Sequence, residues 1–288
     1  MSFNEGVQID SGRASRGRGG GGLAIGGGAG GLVLLVLALV FGVNPSDLTG
    51  GGAPAQDGEG FEQCQTGADA NEDVDCRIIA TAESLDAVWA SELPASGTQY
   101  VQPELVIFEQ QASTGCGAAT DAVGPFYCPS DQTVYLDSGF FDLLRERFGA
   151  SGGPLAEEYV VAHEFGHHIQ NQLGLLGRGQ QDPQGPESGA VRVELMADCL
   201  AGVWAFHAAS TPDPESGQPF LQPLTDADVA DALSAASAVG DDRIQESTQG
   251  QVNPEAWTHG SSEQRQQWFL AGYGSGSTGD CDTFAADL

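Results

Sequence analysis

The sequence predicts an α+β fold. A few short segments between residues 104 and 138 carry strand-like patterns, and a run of long segments with helical spacing follows them. No internal repeat interrupts this order.

The elements read as follows. Residues 79–93 (IATAESLDAVWASEL) space their apolar side chains as a helix does. ELVIFEQ (104–110) and TVYLDS (133–138) alternate or run apolar like strands, and GPFYCPSDQTVYLD (124–137) has a hairpin signal around Pro129–Gln132. FFDLLRERFG (140–149) is helical and stops at a glycine. Helical spacing then returns over 154–173, 190–209 and 225–239. A last helix opens at Ser261, where Gln264 completes a capping box.

Ahead of this domain the chain divides into three stretches. Residues 1–21 are polar and Gly-rich, with Arg13, Arg16 and Arg18 as the only basic residues before Arg77. Residues 22–43 end in the apolar run GLVLLVLALVFGV (31–43) and reach the ~20 residues that a membrane-spanning helix needs. With the arginines on its N-terminal side, the short N-terminus is expected in the cytoplasm and the rest outside it. The sequence after the apolar run (VFGVNPSDL) offers no clean small-x-small cleavage site, which favours an uncleaved signal-anchor over a removed signal peptide. Residues 44–63 are rich in Pro, Gly and acid and read as a flexible linker. Residues 64–288 are the folded domain, large enough for one substantial core.

The net charge is −30, with ten arginines and no lysine. Nucleic acid is excluded as a partner on that ground, because phosphate binding needs basic patches. All six cysteines follow the apolar stretch, and an even number on the exported side points to disulfides. Local spacing pairs Cys64 with Cys76 and Cys116 with Cys128, leaving Cys199 for Cys281. No C-x-x-C pair is present for a cysteine-bound metal. The acidic run Asp69–Asp75 begins like a calcium loop, but Val74 and Ala80 stand where an EF-hand needs Gly and Glu, so it reads as a solvated loop.

Three of the five histidines fall within HEFGHH (163–168). Residues four apart on a helix face the same way, so His163 and His167 can share one small cation, with Glu164 beside it as a base. A catalytic zinc needs a third protein ligand and an open position. Gln170 and Leu173 stand where a metzincin places its Gly and third His, which excludes that completion. Glu194 and Asp198 are four apart on an otherwise apolar helix, 27 residues after His167. Glu194 is the expected third ligand, and Asp198 the acceptor for the free N–H of a ligand histidine. His168 reads as structural. His259, in a loop before the capped helix, is the candidate donor that stabilises the transition state, with Tyr127 and Tyr273 as alternatives.

The segments HEFGHHIQNQLG (163–174), RVELMADCLAGVWA (192–205), GPFYCPSDQTVYLD (124–137), DALSAASAVGDDRIQ (231–245) and THGSSEQRQQWF (258–269) resemble the family known as putative neutral zinc metallopeptidases, membrane-anchored bacterial proteins of the gluzincin group. The resemblance implies a zincin-like ectodomain behind one N-terminal transmembrane helix. It also implies one zinc ion on His163, His167 and Glu194, with Glu164 catalytic. The expected reaction is peptide-bond hydrolysis by a zinc-activated water with a Glu general base, on a peptide or protein substrate. An edge position for Thr133–Asp137, able to pair with an extended substrate, goes with that architecture. The rival reading is a non-catalytic, metal-stabilised binding module of the cell envelope. Glu164 speaks against it, since a structural zinc takes a fourth protein ligand and needs no acid beside it.

Overall fold

The computed structural model describes residues 2–17, 60–120 and 123–288; the expected membrane helix at 22–43 and nearly all of the linker at 44–63 lie outside them. Among the described residues, no helix is long and apolar enough to cross a membrane. The architecture is α+β, with small sheets packed on helices.

The main sheet contains β1 (Ser15–Arg16), β2 (Glu104–Phe108), β5 (Phe126–Cys128) and β6 (Thr133–Asp137), in the order β1-β2-β6-β5. β2 runs parallel to β1 and to β6, whereas β5 and β6 form an antiparallel hairpin. The hairpin turns where the sequence places it, with Gln132 at φ 56°. Its sheet position differs from expectation: Thr133–Asp137 is interior, and β5 is the edge. All five residues of β6 are buried, as an inner strand requires. A separate hairpin, β3 (Gln111–Thr114) and β4 (Gly117–Thr120), has too little apolar alternation to be read from sequence. The Cys116–Cys128 disulfide ties it to β5.

Eight helices are described. Two precede the sheet, α1 (Gly67–Glu72) and α2 (Val74–Glu92). The acidic run Asp69–Asp75 is therefore no solvated loop. Asp69 closes a capping box with Thr66, and the Asp73 side chain accepts from Cys76 N at the start of α2. Acids at helix starts meet orphan N–H groups and the positive end of the dipole, which is why this run is helical. After α3 (Phe140–Glu146) come α4 (Pro154–Gln172), α5 (Gly189–Ala208), α6 (Asp226–Ala238), α7 (Asp241–Gln249) and α8 (Ser262–Ser275). The capping box of Ser261 and Gln264 starts α8 as the sequence indicates.

Three glycines let these helices approach backbone to backbone. A Cβ on Gly166 would lie 3.0 Å from Ala197 Cα, so α4 and α5 cross between their histidines and acids. On Gly272 it would lie 1.9 Å from Cys199 O, and on Gly202 2.1 Å from Phe269 O, which presses α8 against α5. The fully buried Tyr159, Phe165, Trp204 and Phe269 fill the surrounding core. The three disulfides are Cys64–Cys76, Cys116–Cys128 and Cys199–Cys281, as the spacing indicates. The last ties the C-terminal segment to α5.

Residues 2–17, which the sequence places apart from the domain, pack on it instead. Phe3 and Val7 are fully buried, and β1 extends the sheet beyond β2.

Candidate metal centre

His163 and His167 lie one turn apart on α4, and Glu194 faces them from α5. His163 Nε2 is 3.2 Å from Glu194 Oε2, and His167 Nε2 is 3.5 Å from Glu194 Oε1. One donor atom from each of the three lies within 4.8 Å of the others. Two imidazoles and a carboxylate at such separations suit a borderline-soft divalent cation such as zinc.

Each histidine is oriented from behind. His163 Nδ1–H donates to Asp198 Oδ1 at 2.8 Å, which turns Nε2 toward Glu194. His167 Nδ1–H donates to Gln170 Oε1 at 2.9 Å, and Gln170 Nε2 donates to Val193 O at 2.6 Å, joining α4 to α5. The sequence points to Asp198 through its four-residue spacing from Glu194. Gln170 is a partner sequence reasoning missed, noticed there only as the residue that breaks the metzincin pattern.

Asp198 is fully buried, and two partners satisfy it besides His163. Arg265 from α8 grips it with Nε at 2.8 Å and Nη2 at 2.9 Å, and the Tyr159 hydroxyl donates to Oδ1. Bidentate, charge-assisted bonds of this kind hold a carboxylate ionised in an apolar surrounding. Burial alone would raise the Asp198 pKa, but the charges of Arg265 and His163 outweigh it and hold the carboxyl low. Burial opposes the imidazolium of His163, yet the Asp198 and Glu194 carboxylates push its pKa up to about 9. Glu194 is likewise held well below the carboxylate range, because His167, His259 and His163 overcome its burial.

Glu164 is 8% exposed and is not one of the three converging donors. Burial raises its pKa, against the lowering charges of His163 and His167. A buried carboxyl with raised pKa suits a proton acceptor that must later give the proton back. The Tyr127 backbone on edge strand β5 lies against this carboxylate.

His259 reaches the centre through a loop built on Asp241, a residue sequence reasoning did not single out. Asp241 Oδ2 accepts the backbone N–H groups of Thr258, His259 and Gly260 at 2.7, 2.7 and 3.0 Å. Gly260 sits at φ +91°, a conformation a side chain would strain, and this bends the loop around the carboxylate. Asp241 Oδ1 lies 3.3 Å from His259 Nδ1. Burial disfavours a charged His259, but the Glu194 and Asp241 charges raise its pKa.

The other candidates are committed elsewhere. The Tyr127 hydroxyl bonds His168 Nδ1 at 3.0 Å and Asn171 Nδ2 at 2.9 Å. His168 also holds Val101 O at 2.6 Å, a structural tie between α4 and the loop before β2. Tyr273 stacks on Phe269, with ring centroids 6.2 Å apart.

Elements and site together define an α+β protein with two histidines and a glutamate buried between two helices as a group that could hold a metal ion. The chain belongs to the family described as "Putative neutral zinc metallopeptidase", which matches residues 3–284. An uncharacterized protein of Mycobacterium tuberculosis H37Rv is 54% identical over 301 residues, covering all of both chains. The uncharacterized protein YpfJ of Escherichia coli K12 is 38% identical over 265 residues, 90% of this chain and 88% of its own length. No solved structure matches the chain.

Proposed function

We propose that this protein is a zinc-dependent metallopeptidase with one zinc per chain, held by His163, His167 and Glu194. The observation that carries the reading is the convergence of three protein donors with a fourth acid, Glu164, beside them and outside the ligand set. Three ligands leave a position open for chemistry, where a structural site would close it. Bound zinc supplies a Lewis acid for the scissile carbonyl and lowers the pKa of a water toward ~7.

The chain's own groups do the rest. Glu164 takes the water proton and returns it to the leaving amine. His259, whose protonated form the Asp241 and Glu194 charges favour against its burial, donates to the oxyanion. The open edge of β5 offers backbone N–H and C=O groups to an extended peptide, a strand added beside Glu164. Three disulfides suit an oxidising compartment, so the domain works outside the cytoplasm, kept at the membrane by the apolar stretch 22–43.

The test is metal analysis of the purified protein with cleavage of a peptide library by wild type and Glu164→Gln. Stoichiometric zinc with wild-type cleavage that Glu164→Gln abolishes is expected. Zinc without cleavage of any peptide would leave a metal-stabilised binding module.

Two variants probe the assignments. Glu194→Ala is expected to weaken zinc binding at least about 100-fold, more than loss of an orienting partner costs. Chelator titration checks this; full occupancy in Glu194→Ala where His163→Ala is stripped would mean a different third ligand. His259→Ala should keep zinc and fold while kcat falls about 10²–10³-fold with little change in KM. Near-wild-type kcat would remove His259 from the mechanism.

A further inference from the structure

The first sixteen described residues are bonded to the domain along their whole length. Phe3 is fully buried, and its backbone N–H and C=O pair with the Asn71 side chain at 3.1 and 3.0 Å. Asn4 N donates to Phe220 O, and Gln222 N to Ser2 O. Ile9 N donates to Gln65 O, and Val7 O accepts from Gly67 N. Asp10 N bonds Glu83, Arg13 pairs with Asp86 at 2.7 Å, and Ser15–Arg16 runs in register with Val106 and Ile107. Four separate regions of the domain, near residues 65–71, 83–86, 106–107 and 213–222, therefore hold this one segment.

The domain is also shaped for it. A Cβ on Gly67 would come 2.0 Å from Asn4 O, so α1 begins with a glycine where the segment crosses. β1 covers the outer edge of β2, so that β1 and β5 are the two end strands of the main sheet. Without that cover β2 would expose a row of unpaired backbone groups. The segment also reaches toward the metal helix. Asp86, held by Arg13, accepts the Tyr100 hydroxyl at 2.6 Å, and the Tyr100 ring edges against His168. The Arg13 guanidinium stands 5.9 Å from the ring of Phe165, next in sequence to Glu164.

We propose that residues 2–17 are an integral clasp of the metal-site domain and share its compartment, so that no membrane separates them from residues 60–288. This departs from the arrangement expected from the sequence, with the N-terminus in the cytoplasm and the domain outside. A segment buried between four parts of a domain cannot lie across a bilayer from it. The connection between Gly17 and Gly60 therefore begins and ends on one side. The inference is independent of whether the centre hydrolyses peptides.

The test uses the full-length chain in its native membrane. Every cysteine is disulfide-bonded, so an introduced one is the only free thiol. Glu5 and Glu255 are both exposed, one on the clasp and one on the domain. Glu5→Cys and Glu255→Cys are labelled with a membrane-impermeant maleimide in spheroplasts and in inside-out vesicles. Labelling of both from the same side is expected. Labelling from opposite sides would overturn the proposal. Labelling of both only in inside-out vesicles would support the clasp and refute the extracytoplasmic placement. A second measurement is the unfolding midpoint of full-length Phe3→Ala, expected to drop by about 10 °C as a core aromatic is lost. An unchanged midpoint would mean that the segment does not pack on the domain.

Discussion

Glu164→Gln should bind zinc as wild type does and lose about 10²–10⁴-fold in kcat, the range that a positioned acid–base group supplies. The glutamine matches the glutamate in size and hydrogen-bonding reach but cannot carry a proton between water and amine. Zinc is retained because the donors that converge are His163, His167 and Glu194, with Glu164 outside that group. Stability should hold or rise, since a carboxyl whose pKa is raised by burial is replaced by a neutral amide. Metal analysis, thermal unfolding and peptide turnover on the same preparation check the three parts. Cleavage by Glu164→Gln at the wild-type rate would mean that another group is the base, and the case for the centre as a peptidase site would go with it.

The three donors that converge were legible in the sequence because they rest on local periodicity. His163 and His167 are one helical turn apart, and so are Glu194 and Asp198, and a turn is a geometric fact that needs no knowledge of the fold. What meets these residues from elsewhere was not legible. Arg265 is 67 positions from Asp198, Asp241 is 18 from His259, and only the crossing of α5 with α8 and the turn at Gly260 bring them in. Sheet order is equally non-local. The hairpin 124–137 was readable from its turn residues, but which arm stands at the edge depends on β2, whose pairing partner the hairpin sequence does not name. The acidic run at Asp69–Asp75 misled for a different reason. Acids signal solvent in one context and helix caps in another, and only the Thr66 and Asp73 backbone angles decide between them. Residues 2–17 were set apart because the polar, Gly-rich stretch carries few apolar side chains. Two of those few, Phe3 and Val7, are nevertheless fully buried.

Arg265→Leu should destabilise the fold by about 3–5 kcal/mol, because it leaves the Asp198 charge buried without its bidentate partner. For a domain of this size the unfolding midpoint then falls by roughly 10 °C. A purely structural arginine would do no more than this. Arg265, however, also lowers the His163 pKa against the raising effect of Asp198, and a ligand histidine must be deprotonated to bind metal. Removing the arginine releases the full Asp198 charge onto His163 and moves its pKa upward from about 9. Both pH 6 and pH 8 lie below that pKa, so protons compete harder for Nε2 at each, and zinc affinity should fall by a similar factor at the two. Arg265→Lys restores a positive charge but not the paired bonds, and should recover zinc affinity better than it recovers the unfolding midpoint. Zinc titrations at the two pH values, beside thermal unfolding of both variants, separate the roles. A lower midpoint in Arg265→Leu with wild-type zinc affinity at both pH values would confine Arg265 to packing and leave the charge of Asp198 without influence on His163.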